Sequence, residues 1–389
     1  MPHQRAHVVV IGGGYAGTLA ANRLRRQPDL EITLVNPRPE FVERIRLHQL
    51  VADTGTATVG YDSLLGDGTR LLVDTATRID TGARTVHLAS GAALPYDYLV
   101  YAVGSTAAVG SAVPGVAEFA YPLAELEEAR RLHEAIARSA ADAPVTVVGA
   151  GLTGLETATE LAERGRTVRL ICGGVLAPAL SAPGRRSVAT RLRRLGVEIL
   201  RTAVVTEVRA DAVVLDDGTV LPSAVTIWTV GFGVPDLARV SGLSTDALGR
   251  LHTDETLTSV DDDRVIAAGD AAAPSGRPLR MSCQAAIPLG AQAADTVSSR
   301  LTGRTPAPID QAFVGSCVSL GRGGAVVQLA HRDDTPVNAF LGGRIAAAVK
   351  ETICNATLWQ IRREMKKPGS SIWLKGGRKT ATAEATARP

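Results

Sequence analysis

Gly12, Gly14 and Gly17 in "VVIGGGYAG" stand in the spacing G-x-G-x-x-G, and Gly149, Gly151 and Gly154 repeat it in "VVGAGLTG". Glycines so spaced let a chain turn tightly from a strand into a helix and bring backbone N–H groups against a pyrophosphate. The helix that follows adds the positive end of its dipole. Two such turns in one chain are the equipment for holding two dinucleotides. Other reactive types stand beyond them: Glu156 two residues after Gly154, Asp270 after Gly269 in "DDRVIAAGDAA", and Cys283-Gln284 in "RMSCQAAIPLG".

The surrounding pattern supplies the elements such turns need. Val8 to Ile11 is a β-branched run, "TLAANRLRRQ" reads as a helix, and "EITLVN", residues 31–36, as the next strand. In the second unit "LETATELAERG" is the helix and "TVRLIC", ending at Cys172, the strand. Each glycine turn therefore lies inside strand, helix and strand of the length a dinucleotide site requires. A further repeat binds the two units together. Residues 86–104, "VHLASGAALPYDYLVYAVG", align without a gap to residues 213–231, "VVLDDGTVLPSAVTIWTVG". Both read as a hairpin followed by a strand ending in Val-Gly, at Gly104 and Gly231.

Composition bounds the rest. At 389 residues the chain is long enough for two or three domains, and 45% hydrophobic with 21% charged residues is ordinary for a globular protein. A net charge of +3 points to no nucleic-acid partner. Cys172, Cys283, Cys317 and Cys354 lie far apart and form no C-x-x-C pair. The residues before the first apolar run, "MPHQRA", leave no room for a secretory signal, and no stretch approaches the roughly 18 apolar residues of a membrane span. The expectation is a cytoplasmic protein whose membrane contact, if any, is peripheral.

With these motifs the chain resembles the two-dinucleotide flavoprotein reductases, most of all the type II NADH dehydrogenases and apoptosis-inducing-factor-like reductases, over about residues 7–320. The resemblance implies an α/β fold with two Rossmann-like domains: an FAD domain over 1–112 and 236–315, an NAD(P)H domain over 113–235, and a C-terminal α+β region over 316–375. It implies FAD on Gly12, Gly14, Tyr15, Ala16 and Gly17, with Gly104, Gly269 and Asp270 close to the flavin and Asp270 on its ribityl chain. NADH or NADPH belongs on Gly149, Gly151, Thr153 and Gly154, with Gly231 beside them. Glu156 then approaches the nicotinamide and flavin, unless it belongs to a wet helix face with Glu160 and Glu163. The helix begun at Ser282 faces the flavin pyrimidine edge, where its dipole favours the reduced anion. Cys283, at that start, is a candidate flavin-linked thiol or a small buried residue. "FVERIRLHQL" matches a segment that covers the flavin and offers Arg44, Arg46 and His48, with a mixed-charge surface helix as the alternative.

Two strand ends depart from the family. Asn36 stands where an acid usually accepts from the FAD ribose, and Cys172 where one accepts from the nicotinamide nucleotide's ribose. Nothing at Cys172 repels a 2′-phosphate, and Arg185 and Arg186 follow, so NADH and NADPH both remain open. Quinone-reducing members carry a second glutamine after the A-Q pair; here Gln284 is retained while Pro288 and Leu289 take the later positions. The implied reaction passes a hydride from NAD(P)H to the flavin and electrons on to a quinone-like acceptor. A reductase of a small acidic electron carrier, and a flavin-bearing redox sensor, are the rival readings.

Residues 346–367 read as a helix with Val349, Ile353, Ala356 and Leu358 or Gln360 near one side, followed by Arg362, Arg363, Lys366 and Lys367. Aromatic residues among cations suit a membrane surface, and the same face suits a second subunit in a homodimer. Residues 376–389 lack apolar bulk and read as a disordered tail.

Overall fold

The computed structural model describes residues 5–108 and 112–377, so the tail from residue 378 onward and residues 109–111 at the first expected domain boundary lie outside the description. Two five-stranded parallel sheets dominate. The first runs in the order Val265–Ala267, Tyr98–Tyr101, Ala6–Ile11, Leu30–Asn36, Thr69–Val73. Its central strands carry the unbroken apolar runs of a sheet covered on both faces, with Val8, Val9 and Val10 fully buried. The second sheet repeats the plan as Ala120–Pro122, Val225–Trp228, Val145–Val148, Val168–Ile171, Glu198–Leu200. The class is α/β, with two Rossmann-like units.

The repeated sequence becomes repeated structure. Thr85–Leu88, Ala93–Pro95 and Tyr98–Tyr101 recur as Ala212–Leu215, Val220–Pro222 and Val225–Trp228, with identical lengths and spacings. In each copy an antiparallel hairpin feeds a strand that enters the parallel sheet beside the glycine-turn strand.

Two long helices hold the first unit. Tyr15–Leu24 and Cys283–Leu301 cross so closely that a Cβ on Gly290 would lie 2.2 Å from the Ala16 carbonyl oxygen. Ser282 caps the second helix, accepting from Ala285 N at 3.3 Å. Pro288 lies within it and has no N–H for the Gln284 carbonyl four residues back. Gln311 Nε2 donates to that carbonyl instead, at 2.9 Å.

The C-terminal part is a three-stranded antiparallel sheet, Gly315–Ser319, Ala325–Ala330 and Pro336–Gly342, followed by the helix Gly343–Lys366. The buried side of that helix is Ala346, Lys350, Cys354, Thr357, Leu358, Ile361 and Glu364. This corrects the expected stripe: Ile353 is exposed, and two charged residues turn inward because each meets a buried opposite charge. Glu364 meets Arg23, and Lys350 meets Glu156.

Candidate functional site

Both glycine turns sit at the C-terminal ends of their sheets, where open α/β sheets bind ligands. Gly12 holds φ +100°, and a Cβ there would lie 2.3 Å from the Ala102 carbonyl oxygen; a Cβ on Gly17 would lie 1.8 Å from the Gly12 oxygen. Gly149 and Gly154 repeat both constraints, at φ +107° and 2.0 Å from the Gly149 oxygen. These glycines pack the turn against the helix. Gly14 and Gly151 differ: each is the N-cap of its helix, provides no side-chain cap, and has nothing within 4 Å of a Cβ position. Both helices thus offer their first N–H groups to open space, as a phosphate needs.

Around the first turn, Gly104 (φ +73°) and Gly269 (φ +71°) return from neighbouring strands. A Cβ on Gly269 would lie 3.0 Å from Ala16 Cβ, so Ala16 is small because Gly269 and Gly290 both approach it. Asp270 follows. Its Oδ2 accepts from Ser105 Oγ at 2.7 Å, while Oδ1 is buried with no partner. Arg44 donates to the Ser105 carbonyl at 2.7 Å and hydroxyl at 3.1 Å, and to the Ala124 carbonyl at 2.8 Å. Ser105, which joins Arg44 to Asp270, was not singled out by sequence; its place directly after Gly104 was the available signal.

Asn36 is not a free ribose acceptor. Its Oδ1 accepts from Gly13 N at 2.9 Å and its Nδ2 donates to the Arg38 carbonyl at 2.8 Å, so the side chain braces the glycine turn. Tyr61 braces it from the other side, donating to the Gly13 carbonyl at 2.7 Å. Tyr15 lies edge-on to Phe41 with its buried hydroxyl unpartnered.

Glu156 is buried, which removes the wet-face alternative for it. Lys350 Nζ donates to Glu156 Oε1, Ser319 N donates to the same oxygen at 3.1 Å, and His48 Nδ1 lies 3.6 Å from Oε2. Burial pushes the Glu156 carboxyl upward, but Lys350 and then His48 oppose it and leave it below the usual carboxylate value. Burial likewise works against the Lys350 ammonium, yet Glu156 holds it above its usual value. His48 is pushed down to about 4, first by burial, with Lys350, Arg322 and Arg46 adding, so it is neutral near pH 7. Glu160 is buried as well, accepting from Thr54 Oγ1, and burial raises its carboxyl. A cavity of about 480 Å³ opens beside this cluster, lined among others by Arg191, Ser319, Arg322, Arg344 and Lys350.

The segment bearing His48 is therefore no surface helix. It is a 3-10 turn, Arg44–Arg46, and a short helix, Leu47–Val51. Arg46 is buried and bonded to Glu351 and Asn355, both at 2.8 Å. Lys350 was missed; its spacing of four from Ala346 and from Cys354, on one helix side, was the readable sign.

Cys283 occupies the helix start, but burial, with Cys354 and Cys317 adding, pushes its thiol up to about 12. A thiol raised in this way is a weak nucleophile near pH 7, which favours the reading of a small, half-buried packing residue over that of a reactive thiol. Gln284 faces the entry to the C-terminal sheet; with its amide turned to satisfy both neighbours, the nitrogen donates to the Gly315 carbonyl at 3.0 Å and the oxygen accepts from Val314 N at 3.2 Å. Thr153 and Gly231 line one narrow cleft with Trp228 and Phe232. Cys172 ends its strand half-buried, and burial raises its thiol. Arg185 and Arg186 lie on the helix Ala182–Arg194, which packs on the strand Pro336–Gly342.

The sequence profile of the pyridine nucleotide-disulphide oxidoreductases matches residues 6–290. An NADH dehydrogenase-like protein of Mycobacterium tuberculosis is 31% identical, over 82% of this chain and 86% of its own length. A type II NADH:quinone oxidoreductase of Staphylococcus haemolyticus is 27% identical over 93% and 97%. The solved sulfide:quinone oxidoreductase of Aquifex aeolicus superposes with a TM-score of 0.78, covering 94% of this chain and 93% of that one at 22% identity, a likeness of fold. Duplicated glycine turns at the ends of two parallel sheets, within a matched span of this length, establish that the chain belongs to the pyridine nucleotide-disulphide oxidoreductase family.

Proposed function

We propose that the chain is a flavoprotein that takes a hydride from NAD(P)H onto FAD and passes electrons to a quinone or quinone-like small molecule. The observation that carries the reading is Asp270 Oδ1, buried and unpartnered beside the open N-terminus at Gly14. A buried acceptor without a donor is costly unless a ligand supplies one, and a ribityl hydroxyl is such a donor. FAD fits the residues present: Gly14, Tyr15 and Ala16 would take its pyrophosphate, and Asp270, held by Ser105, its ribityl chain. When bound, FAD supplies the two-electron chemistry, accepting a hydride and releasing electrons afterwards.

The chain's own groups position and bias that chemistry. Gly151 and the following turn would hold the nicotinamide dinucleotide's pyrophosphate, and the glycines of the central unit bring its backbone close. The helix Cys283–Leu301 points its positive end at the candidate flavin site. Lys350 fixes Glu156 in its ionised form between the nicotinamide unit and the C-terminal helix. The acceptor is inferred from the named relatives, whose own names specify NADH and quinone. Exposed Ile345, Ile353 and Trp359 on the helix Gly343–Lys366, with exposed Ile372 and Leu374 after it, support a membrane-surface contact through which such an acceptor would arrive.

A second reading draws on the cavity: Arg191, Arg322 and Arg344 at its wall suit an acidic carrier protein of the ferredoxin type. Anaerobic mixing of the purified protein with NADH and then NADPH tests the donor half through loss of the oxidised-flavin absorbance. Turnover with menadione, little affected by salt, supports the quinone reading; turnover only with a ferredoxin, falling steeply with salt, replaces it. Bleaching without turnover by either acceptor would favour a redox sensor. Co-sedimentation with anionic vesicles checks the membrane face, and a dimer in light scattering without vesicle binding would reassign it.

A further inference from the structure

The adenosine end of the nicotinamide site is set by what stands at the tip of the second strand of the second sheet. In a dinucleotide fold an acid there accepts from the ribose 2′-hydroxyl and repels a 2′-phosphate, whereas an arginine nearby accommodates the phosphate. The strand Val168–Ile171 ends at Cys172, a neutral thiol. Its parallel neighbour Glu198–Leu200 runs in register, Ile171 opposite Leu200, and delivers Arg201 to the same sheet end. Two backbone bonds hold the tips together: Cys172 N donates to the Leu200 carbonyl at 2.8 Å, and Gly174 N to the Arg201 carbonyl at 2.7 Å.

Arg201 is exposed, and its guanidinium has no hydrogen bond or ion pair among the described residues. Its positive charge acts on the Cys172 thiol. The one acid on its own strand, Glu198, bonds to Arg169 at 2.8 Å. Directly after Cys172 the chain turns through Gly173 and Gly174, both at positive φ, with nothing within 4 Å of either Cβ position. The result is an exposed, side-chain-free turn beside an uncommitted guanidinium.

We infer that this chain selects the 2′-phosphorylated coenzyme, NADPH, and that Arg201 is the residue that reads the phosphate. The inference rests on the central glycine turn being the hydride-donor site, as proposed above. It also replaces Arg185 and Arg186, which sequence order offered for this role, with an arginine brought in by strand pairing. A guanidinium matches a phosphate bidentately, and the sulfhydryl at Cys172 leaves room without repulsion.

Two measurements on the full-length, flavin-loaded protein test this. Calorimetric titration with adenosine 2′,5′-bisphosphate and with 5′-AMP reads the subsite without any turnover. Stopped-flow bleaching with NADPH and NADH reads the preference in the reaction. The expected wild-type result is an advantage of about tenfold or more for the 2′-phosphorylated partner in both, the factor one charge-assisted hydrogen bond supplies. Arg201→Glu, at an exposed position, should remove that advantage, and Cys172→Asp should shift it toward NADH. Equal binding of bisphosphate and AMP, a wild-type preference for NADH, or a preference that survives Arg201→Glu would overturn the inference. If neither nicotinamide bleaches the flavin but the bisphosphate binds more tightly through Arg201, the subsite assignment stands and the donor-site reading falls.

Discussion

Glu156 and Lys350 are separated by half of the molecule's sequence and meet largely out of water, their side chains 12% and 8% exposed, so each depends on the other for its charge. Replacing Lys350 by Met should leave a buried carboxylate uncompensated and cost about 3–5 kcal/mol, the usual penalty for breaking a buried pair. Denaturant unfolding of Lys350→Met against the parent would show it, and Glu156 should then titrate higher. His48 gives the neighbouring test through pH. Unfolded, it takes up a proton near its ordinary 6.5; folded, burial holds it to about 4. Between those values unfolding binds a proton, so stability should fall by up to about 3 kcal/mol as pH is lowered through that window. Glu156, held below its usual value, adds loss below about pH 4.5. Melting curves of His48→Gln should lack the first of these slopes. Of this cluster, Glu156 was legible because it follows a glycine turn at fixed spacing. Ser319 and Lys350 were not: spacing marks the helix side on which Lys350 lies, but nothing local names its partner 194 residues away.

Arg23, Asp295 and Glu364 show the same logic between helices. Arg23, on the helix after the first glycine turn, bonds to Asp295 at 2.7 and 2.8 Å and to Glu364 at 3.3 Å, so it ties together three helices. Glu364 is fully buried and also accepts from Ser371 N at 2.6 Å and from Gly369 N, which folds the chain back after the last helix. Glu364→Ala is expected to cost about 3–5 kcal/mol and to loosen residues 369–377; hydrogen exchange of those amides, alongside a melting curve, would measure both. The glycine turns, the hairpins and the strand 265–267 could be read directly, because turn residues and β-branched runs are local signals. The inner side of the last helix could not: its apolar residues lie all round, and the buried side is defined by two charges whose partners sit on distant elements. In "FVERIRLHQL" it is the surface-helix alternative that fails, for the same reason: Arg46 and His48 are buried through long-range pairing.

At the scale of the whole molecule, the hairpin and strand repeated in both units place each glycine turn at an equivalent sheet end, and this symmetry is what the two aligned segments announced. What departs from symmetry is the set of side chains: Asp270 with Ser105 stands by the first turn, and Glu156 with Lys350 follows the second. Asp270→Ala should therefore release flavin, read as absorbance per mole of chain, while leaving binding of adenosine nucleotides at the second turn within about twofold, since distant sites are close to independent.

The helix Gly343–Lys366 follows both glycine units in the chain, and chains are built from the N-terminus at about 5–20 residues per second. Until it emerges, Glu156 has no ammonium beside it and Arg23 lacks one of its carboxylates. Both glycine units can be complete while their junction is still open and charged. Closure of that junction thus waits for residues beyond 342, and a transcript truncated near residue 342 should yield a product held by chaperones or cleared by proteases.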